Sequence, residues 1–251
     1  MPSLISRFFF QFNLLMGLIS LIGINLNAQD TVHVQLDTQI IKGDFIEPYT
    51  NKWQVSVIDS LGNKEIVRIW TDYAQILEIE GEEYLHRVQD LYSPLYELEQ
   101  TWVNIVKHKN LLPKRFTLQN ASGGLQNIDF SMNDIVIKSN IEGQEYSPEK
   151  IEISQPLYDW NLYGMLLVGL PFEEGQIFSI PFWSQPEKSA DYLVAEINGK
   201  VTVKTLKGEE ILTHKVTTNK GLTFWLTKEK PYVIQLELQL PTGSTMLWEM
   251  M

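Results

Sequence analysis

Residues 234–240 read Ile-Gln-Leu-Glu-Leu-Gln-Leu, with an apolar residue at every second position. Side chains along a β-strand project alternately to its two faces, so this stretch places its leucines and isoleucine on one face and its polar residues on the other. A sheet that packs one face on a core and exposes the other to water produces this pattern, and such sheets are usually antiparallel. The stretch therefore predicts an antiparallel sheet.

The same alternation recurs in residues 32–37, 53–57 and 128–132. Clusters of Gly, Asn, Ser and Pro separate the alternating stretches at intervals that are typical of β-hairpins. No repeat of fixed period and no low-complexity linker interrupts the pattern. The chain is therefore predicted to be mainly β.

Asn198-Gly199 is the strongest turn signal in the chain. A two-residue turn of the primed type requires positive φ at both central positions, and Asn followed by Gly adopts that conformation readily. We therefore expect a hairpin that joins a strand at residues 192–196 to a strand at residues 201–205.

Two segments depart from the alternation and predict helices. In Glu82–Val106 the apolar residues recur at intervals near three and four, which permits a helix before Pro94 and a strand after it. In Tyr158–Leu170 they are almost continuous, which predicts a buried helix ended by Gly169 and Pro171. The sequence therefore predicts a large sheet with one or two covering helices.

The N-terminus has the three parts of a secretory signal peptide. Arg7 precedes an apolar run over residues 8–24, and the small residue Ala28 follows it. We expect removal of residues 1–28, which leaves residues 29–251 as a single β-rich domain that is periplasmic or secreted. The alternative is an uncleaved membrane anchor, because the run approaches the roughly 20 residues that span a bilayer. After cleavage the chain is expected to be soluble and not integral to a membrane.

Composition narrows the classes of partner. The formal net charge is −11, and such a surface repels the phosphates of nucleic acids, so no nucleic-acid partner is expected. Cysteine is absent, which excludes disulfides, thiolate catalysis and zinc sites built on cysteine.

The residues that usually carry catalysis do not form a recognisable pattern. No two of the four histidines have a spacing that is typical of metal ligands, and no Gly-x-Ser-x-Gly elbow or glycine-rich phosphate loop occurs. The acidic clusters adjoin turns, where solvated carboxylates are common. We therefore predict no catalytic residue, no metal ligand and no cofactor. A hydrolase with a site assembled from distant residues stays open, and His86, His108 and the acidic clusters are its candidate residues.

Aromatic residues are the remaining candidates for a site. In Phe224-Trp225-Leu226 and Phe182-Trp183 both faces of the predicted strands are apolar, which a sheet exposed to water on one side does not require. Ordinary core packing and cross-strand pairing explain most such aromatics. The functional interpretation is a curved sheet whose inner face holds an apolar ligand. Its candidate contacts are Trp102, Phe116, Phe130, Trp160, Phe182 and Trp225.

Four short stretches carry a family resemblance. They are Leu111–Phe116, residues 121–132, residues 158–175 with Leu170-Pro171-Phe172, and residues 221–233 with Gly221-Leu222-Thr223-Phe224-Trp225-Leu226-Thr227. In this order they resemble an uncharacterised bacterial envelope family, a domain of unknown function related in fold to the half-barrel of lipoprotein carriers such as LolA and LolB. The resemblance implies a long curved antiparallel sheet, either a half-barrel or an open barrel, with a concave face. It brings no catalytic residues.

Three functions are compatible with the sequence. The first is a noncatalytic envelope protein that binds a lipid or another apolar or amphipathic small molecule on the concave face of its sheet. The second is a structural or interaction module that pairs with an envelope protein partner through a sheet edge. The third is the hydrolase with distant residues.

Overall fold

The computed structural model of the chain describes residues 31–35, 39–141, 143–185 and 187–251. The predicted signal peptide, residues 1–28, lies outside the described residues. The predictions made for that segment, including cleavage and export, are therefore not addressed by the fold.

Seventeen strands occur in the described part of the chain. They are β1 (Thr31–His33), β2 (Tyr49–Ile58), β3 (Lys64–Ile79), β4 (Glu82–Tyr92), β5 (Leu98–Lys107), β6 (Pro113–Asn120), β7 (Leu125–Phe130), β8 (Asp134–Ile141), β9 (Gln144–Glu145), β10 (Glu149–Glu152), β11 (Tyr158–Asp159), β12 (Ile177–Ser184), β13 (Ser189–Lys204), β14 (Glu210–Thr218), β15 (Leu222–Leu226), β16 (Val233–Gln239) and β17 (Thr245–Met250). Between β11 and β12 lie a 3-10 helix (Trp160–Leu162) and the α-helix α1 (Tyr163–Gly169).

The strands form one large, curved and unclosed sheet. Strands β12 to β17 pair in succession, β17 pairs with β2, and β2 to β8 continue the antiparallel order. Short strands lie at the two margins: β1 and β11 run parallel to β12, and β9 and β10 run antiparallel to β8. The prediction of a mainly β fold with a large curved sheet is confirmed. The sheet is mixed rather than purely antiparallel, because β1 and β11 are parallel to their neighbour.

The quoted stretch, residues 234–240, forms the body of β16, which lies between β15 and β17. Leu236 and Leu238 face the interior of the curve. On the other face Gln235 is paired with Trp225 and Glu249. The alternation in the sequence therefore corresponds to an inner and an outer face of the curved sheet.

The predicted buried helix is confirmed as α1. The first five residues of the prediction, 158–162, instead form strand β11 and the 3-10 helix. Asp159 caps the 3-10 helix by accepting a hydrogen bond from the backbone N–H of Asn161 at 3.1 Å. At the other end, Lys228 donates to the carbonyl oxygens of Val168, at 2.5 Å, and Leu170, which suits the negative end of a helix. Among the described residues no helix is long and apolar enough to span a bilayer.

The helix predicted before Pro94 is wrong, because Glu82–Tyr92 forms strand β4. Both faces of this strand carry buried residues: Leu85, Arg87, Gln89 and Leu91 on one face, and Tyr84 and Val88 on the other. Burial on both faces removes the simple alternation and leaves apolar residues at spacings near three and four. Periodicity alone does not separate that pattern from a helix.

The predicted hairpin at Asn198-Gly199 is also wrong. Strand β13 runs through these residues from Ser189 to Lys204, and its register with β14 shifts between Ile197 and Lys200. Gly199 has φ of +96° and supplies the positive φ that a β-bulge of this kind uses. The hairpin itself lies further on, where the N–H of Thr205 donates to the carbonyl of Glu209 at 2.9 Å.

The two margins of the curved sheet approach each other. Gln185, just after β12, donates to Gln126 on β7 at 2.7 Å, and Lys188 pairs with Glu149 at 2.5 Å. Trp183 on β12 is fully buried in a cluster with Phe116 on β6 and with residues of β7 and β8 near the other margin. The sheet therefore wraps around an interior space.

The strand assignment of β4 can be tested by cross-linking. Gln75 on β3 lies directly opposite His86 on β4, and their side chains are 3.2 Å apart. Because directly paired strand residues have the Cα separation that a disulfide needs, we expect Gln75→Cys/His86→Cys to oxidise to a single cross-linked species. The chain has no other cysteine to compete. Non-reducing electrophoresis and intact mass measure the product.

The matched control is Gln75→Cys/Asp90→Cys. Asp90 lies on the same face of β4 but is paired with Thr71, which is four residues, or about 13 Å, from Gln75. This pair should stay reduced. Equal cross-linking in the two variants would contradict the register described here.

Candidate ligand-binding hollow

The inner face of the sheet encloses a hollow of about 870 Å³. One of its walls is apolar throughout and is formed by consecutive strands β15, β16, β17 and β2. The side chains on this wall are Leu222, Phe224, Val233, Leu236, Leu238, Met246, Trp248, Trp53, Val55 and Val57. Because the pleat sends every second residue inward, a run of neighbouring amphipathic strands produces such a continuous surface.

Five of the seven tryptophans line this hollow: Trp53, Trp70, Trp102, Trp160 and Trp248. The rings of four of them, Trp70, Trp102, Trp160 and Trp248, form a connected series of edge-to-face contacts. The centroid of Trp70 is 5.3 Å from that of Trp102 and 6.1 Å from that of Trp248, and the centroids of Trp102 and Trp160 are 5.5 Å apart. These contacts give the hollow a rigid aromatic surface.

A band of uncharged polar side chains lies on the wall formed by β5 to β8. It consists of Gln100, Asn120, Gln126 and Ser139, together with Gln185. We call this set the amide band. Gln126 donates to Ser139 at 3.2 Å and accepts from Gln185 at 2.7 Å, and Gln100 accepts from the indole N–H of Trp102 at 3.0 Å. The side-chain oxygen of Asn120 is buried and has no hydrogen-bond partner.

The helical segment closes one end of the hollow. Arg87 lies there and makes a bidentate contact with Asp72, with Nη2 2.7 Å and Nε 3.0 Å from the carboxylate oxygens. Its Nη1 donates to the backbone carbonyl of Asn161 at 3.0 Å. Burial opposes the charge of Arg87, but the neighbouring Asp72 outweighs it and raises the pKa of the guanidinium. The closed end therefore holds a compensated ion pair.

A second set of polar contacts lies next to this pair. Asn161 donates to the side-chain oxygen of Asn104 at 2.8 Å, and Asn104 donates to Asp159 at 2.6 Å. When the side-chain amide of Gln89 is turned so that its oxygen faces these donors, the oxygen accepts from the indole N–H of Trp70 at 3.2 Å and from Arg87 at 2.9 Å. Each polar group has a partner within this network. The network therefore stabilises the closed end of the hollow and also forms part of its surface.

The charge of Asp159 in this network is sensitive to mild pH. Burial raises the pKa of its carboxyl to about 7, although the N–H of Asn161, the charge of Arg87 and the Asn104 amide all favour the carboxylate. Asp159 therefore changes charge near neutral pH.

The opposite end of the hollow opens to solvent. The exposed lining residues gather there: Glu65, Ile66, Pro94, Ser122, Leu125 and Ile141. We call this set the mouth. Its side chains come from the ends of β3, β7 and β8 and from the loops between β4 and β5 and between β6 and β7. A molecule therefore reaches the hollow from this end.

The structure brings three of the six predicted contact residues, Trp102, Phe116 and Trp160, to the hollow. The other three do not line it. Phe130 shares the inner face with Ile128 but is packed in the cluster beyond the hollow, and Phe182 is packed against the ring of Tyr163. Trp225 lies on the outer face, with Lys215 5.9 Å from its ring.

Sequence reasoning did not select the polar lining. Arg87 and Gln89 belong to β4, which was read as helical, so their inward direction was not visible. The only signal was that polar residues interrupt apolar runs there and at Asp159 to Asn161.

The histidines considered for a hydrolase lie away from the hollow. The Nε2 of His108 is 2.8 Å from the carbonyl of Ile46, and its Nδ1 is 3.2 Å from Glu83. His86 contacts Gln75. Within the described residues no group of three or more His, Cys, Asp or Glu is placed to hold a metal ion.

The fold and the hollow define a β-sheet protein that wraps one curved sheet around an aromatic cavity. Residues 86–247 match the family described as protein of unknown function, DUF3108, and this match covers more than half of the chain. The chain belongs to that family. The prediction of a family of unknown function is thereby confirmed, whereas the likeness to lipoprotein carriers stays a prediction.

A DUF1329 family protein from Desulfovibrio piger of known crystal structure is 9% identical, with 86% of each chain covered and a TM-score of 0.30. No curated protein matches the chain.

The charge of Asp159 predicts a pH dependence of stability. A carboxyl whose pKa is raised on folding binds its proton more tightly in the folded chain, so the free energy of unfolding falls as pH rises from about 4 to about 7. Between pH 5 and pH 8 this one group should remove about 2–3 kcal/mol. We expect Asp159→Asn to lose that part of the pH dependence, as measured by urea unfolding at both pH values.

The exposed Asp44→Asn makes the same chemical change on the surface and is the control. It should keep the wild-type difference between pH 5 and pH 8. If Asp159→Asn keeps it as well, Asp159 does not titrate in this range.

Proposed function

We propose that this chain is an exported, noncatalytic protein that binds an apolar or amphipathic, lipid-like molecule in the hollow. The observation that carries the proposal is the hollow itself, with its continuous apolar wall and its five tryptophans. Protein interiors are close-packed, and a space of this size between packed strands is unusual unless it receives a ligand. Its volume of about 870 Å³ falls within the range of about 300–1,000 Å³ that is usual for ligand sites.

The arrangement of the lining suits an elongated apolar molecule. The apolar wall extends along four strands, and the aromatic rings are held by one another, so little side-chain entropy is lost when a ligand is bound. Burial of apolar surface contributes about 25 cal/mol per Å². The mouth gives access at one end, and the Arg87 network closes the other.

Export is supported by the N-terminal sequence, in which Arg7, the apolar run over residues 8–24 and Ala28 have the order of a signal peptide. The resemblance to the half-barrel of lipoprotein carriers agrees with a curved sheet that receives an apolar group. A periplasmic or secreted carrier is therefore the form of this function that we favour.

The two other functions receive less support. The described lining includes no histidine or lysine, so it lacks the bases that usually activate a serine such as Ser122 or Ser139. A partner that pairs with a sheet edge needs a long exposed strand, whereas short strands cover β8 and β12 at the margins.

Binding can be tested with the neutral fluorescent probe N-phenyl-1-naphthylamine. We expect saturable binding by the full-length mature chain, because the apolar wall removes the probe from water. Leu236→Glu places a carboxylate on that wall and should weaken binding at least tenfold, because the charge must be buried or the wall must open. Fluorescence titration gives the dissociation constants.

Gln235→Glu is the matched control, since it introduces the same residue one position earlier, on the outer face. It should bind like the wild type. Circular dichroism and a melting curve establish that both variants are folded. Probe binding that is absent from the wild type, or that Leu236→Glu leaves intact, would contradict the proposal.

A further inference from the structure

We infer that the hollow selects amphiphiles whose polar group is uncharged, such as a hydroxyl, amide or ester, over amphiphiles that carry a phosphate or carboxylate. This inference rests on the proposed function and specifies the class of its ligand. The charges and hydrogen-bonding groups of the lining carry it.

The positive charges of the described lining are already compensated. They belong to Arg68 and Arg87. Arg87 forms its bidentate contact with Asp72, and the Nη2 of Arg68 is 2.7 Å from the carboxylate of Glu99. An anionic headgroup would have to compete with these carboxylates or enter without a counter-charge.

The remaining charges of the site are negative. Glu65 is exposed at the mouth, and Asp159 lies behind the closed end. A like charge in a partly desolvated space raises the energy of an anion, and removing a phosphate from water without a cation costs several kcal/mol. The site therefore disfavours anions at its entrance and at its base.

The amide band supplies what an uncharged polar group needs. A primary amide carries two N–H donors and an oxygen with two lone pairs, so it can serve a hydroxyl, an ester or another amide equally well. Within the band, Gln185 donates one N–H to Gln126 and accepts from the indole N–H of Trp183, which leaves its second N–H and one oxygen lone pair without a partner among the described residues. A ligand hydroxyl could complete this hydrogen bonding.

The band also indicates how the ligand lies. It occupies one wall towards the mouth, while the opposite wall is apolar along its whole length. A ligand with an alkyl chain along the apolar wall and its polar group beside Gln100, Asn120 and Gln126 satisfies both surfaces at once.

The test compares two probes that differ by one phosphate: 1-oleoylglycerol and 1-oleoylglycerol-3-phosphate. Each is titrated into the mature protein below the concentration at which it aggregates, at pH 7.5. Tryptophan fluorescence is the readout, since five tryptophans line the hollow. We expect 1-oleoylglycerol to bind at least ten times more tightly. Equal affinities, or tighter binding of the phosphate, would overturn the inference while leaving the proposed function standing.

Binding of neither probe, together with no binding of N-phenyl-1-naphthylamine, would instead remove the proposed function and this inference with it. Leu236→Glu serves in each titration as the variant with an impaired hollow, so that surface adsorption is recognised by its persistence.

The electrostatic cause has its own pair of variants. Glu65→Lys reverses the charge at the mouth and should raise the affinity for 1-oleoylglycerol-3-phosphate several-fold relative to the affinity for 1-oleoylglycerol. Glu209→Lys makes the same change on an exposed residue of the hairpin between β13 and β14, outside the lining, and should change neither. Identical effects of the two substitutions would show that net charge, and not the site, governs selection.

Discussion

The ion pair between Arg87 and Asp72 connects the parts of the structure that enclose the hollow. Asp72 lies on β3 and Arg87 on β4, and the same guanidinium donates to the carbonyl of Asn161 at the start of the helical segment. One side chain therefore joins two strands to the helix that closes the sheet. Breaking a buried pair of this kind usually costs about 3–5 kcal/mol, because the remaining charge stays buried without a partner.

The contacts of α1 explain why the helix packs against the curved sheet without filling the hollow. Its residues pack into the larger apolar cluster with β15, β16 and the loop before β2, and Lys228 satisfies its last carbonyls. Gly164 faces the hollow, and a Cβ there would lie 3.1 Å from Val233. The small residue lets the helix approach the sheet at this end, so the space beyond it stays open towards the mouth.

The amphipathic strands could be predicted from the sequence because one face of each meets water. The alternation of residues 234–240 reports that directly, and the continuous apolar run before Gly169 reports a buried helix. Strand β4 could not be predicted in the same way, since both of its faces are buried and the pattern loses its period of two. The hairpin prediction at Asn198-Gly199 failed for a different reason. A bulge and a hairpin require the same local backbone conformation, and only the long-range pairing with β14 shows which of the two forms.

The candidate site, like the fold, was predictable from the sequence only in part. Trp102, Phe116 and Trp160 were selected by residue type and do line the hollow, but residue type does not reveal the face of the sheet, so Trp225 was selected as well and lies outside. The polar lining was missed because its role depends on hydrogen-bond partners that are distant in the sequence. At the closed end those partners are buried groups of the same network, such as Asp72 and Asn104, which makes the Arg87 network a source of stability. Along the amide band Gln185 has only one donor and one acceptor contact, and the hydrogen-bonding capacity that remains is what a ligand can use.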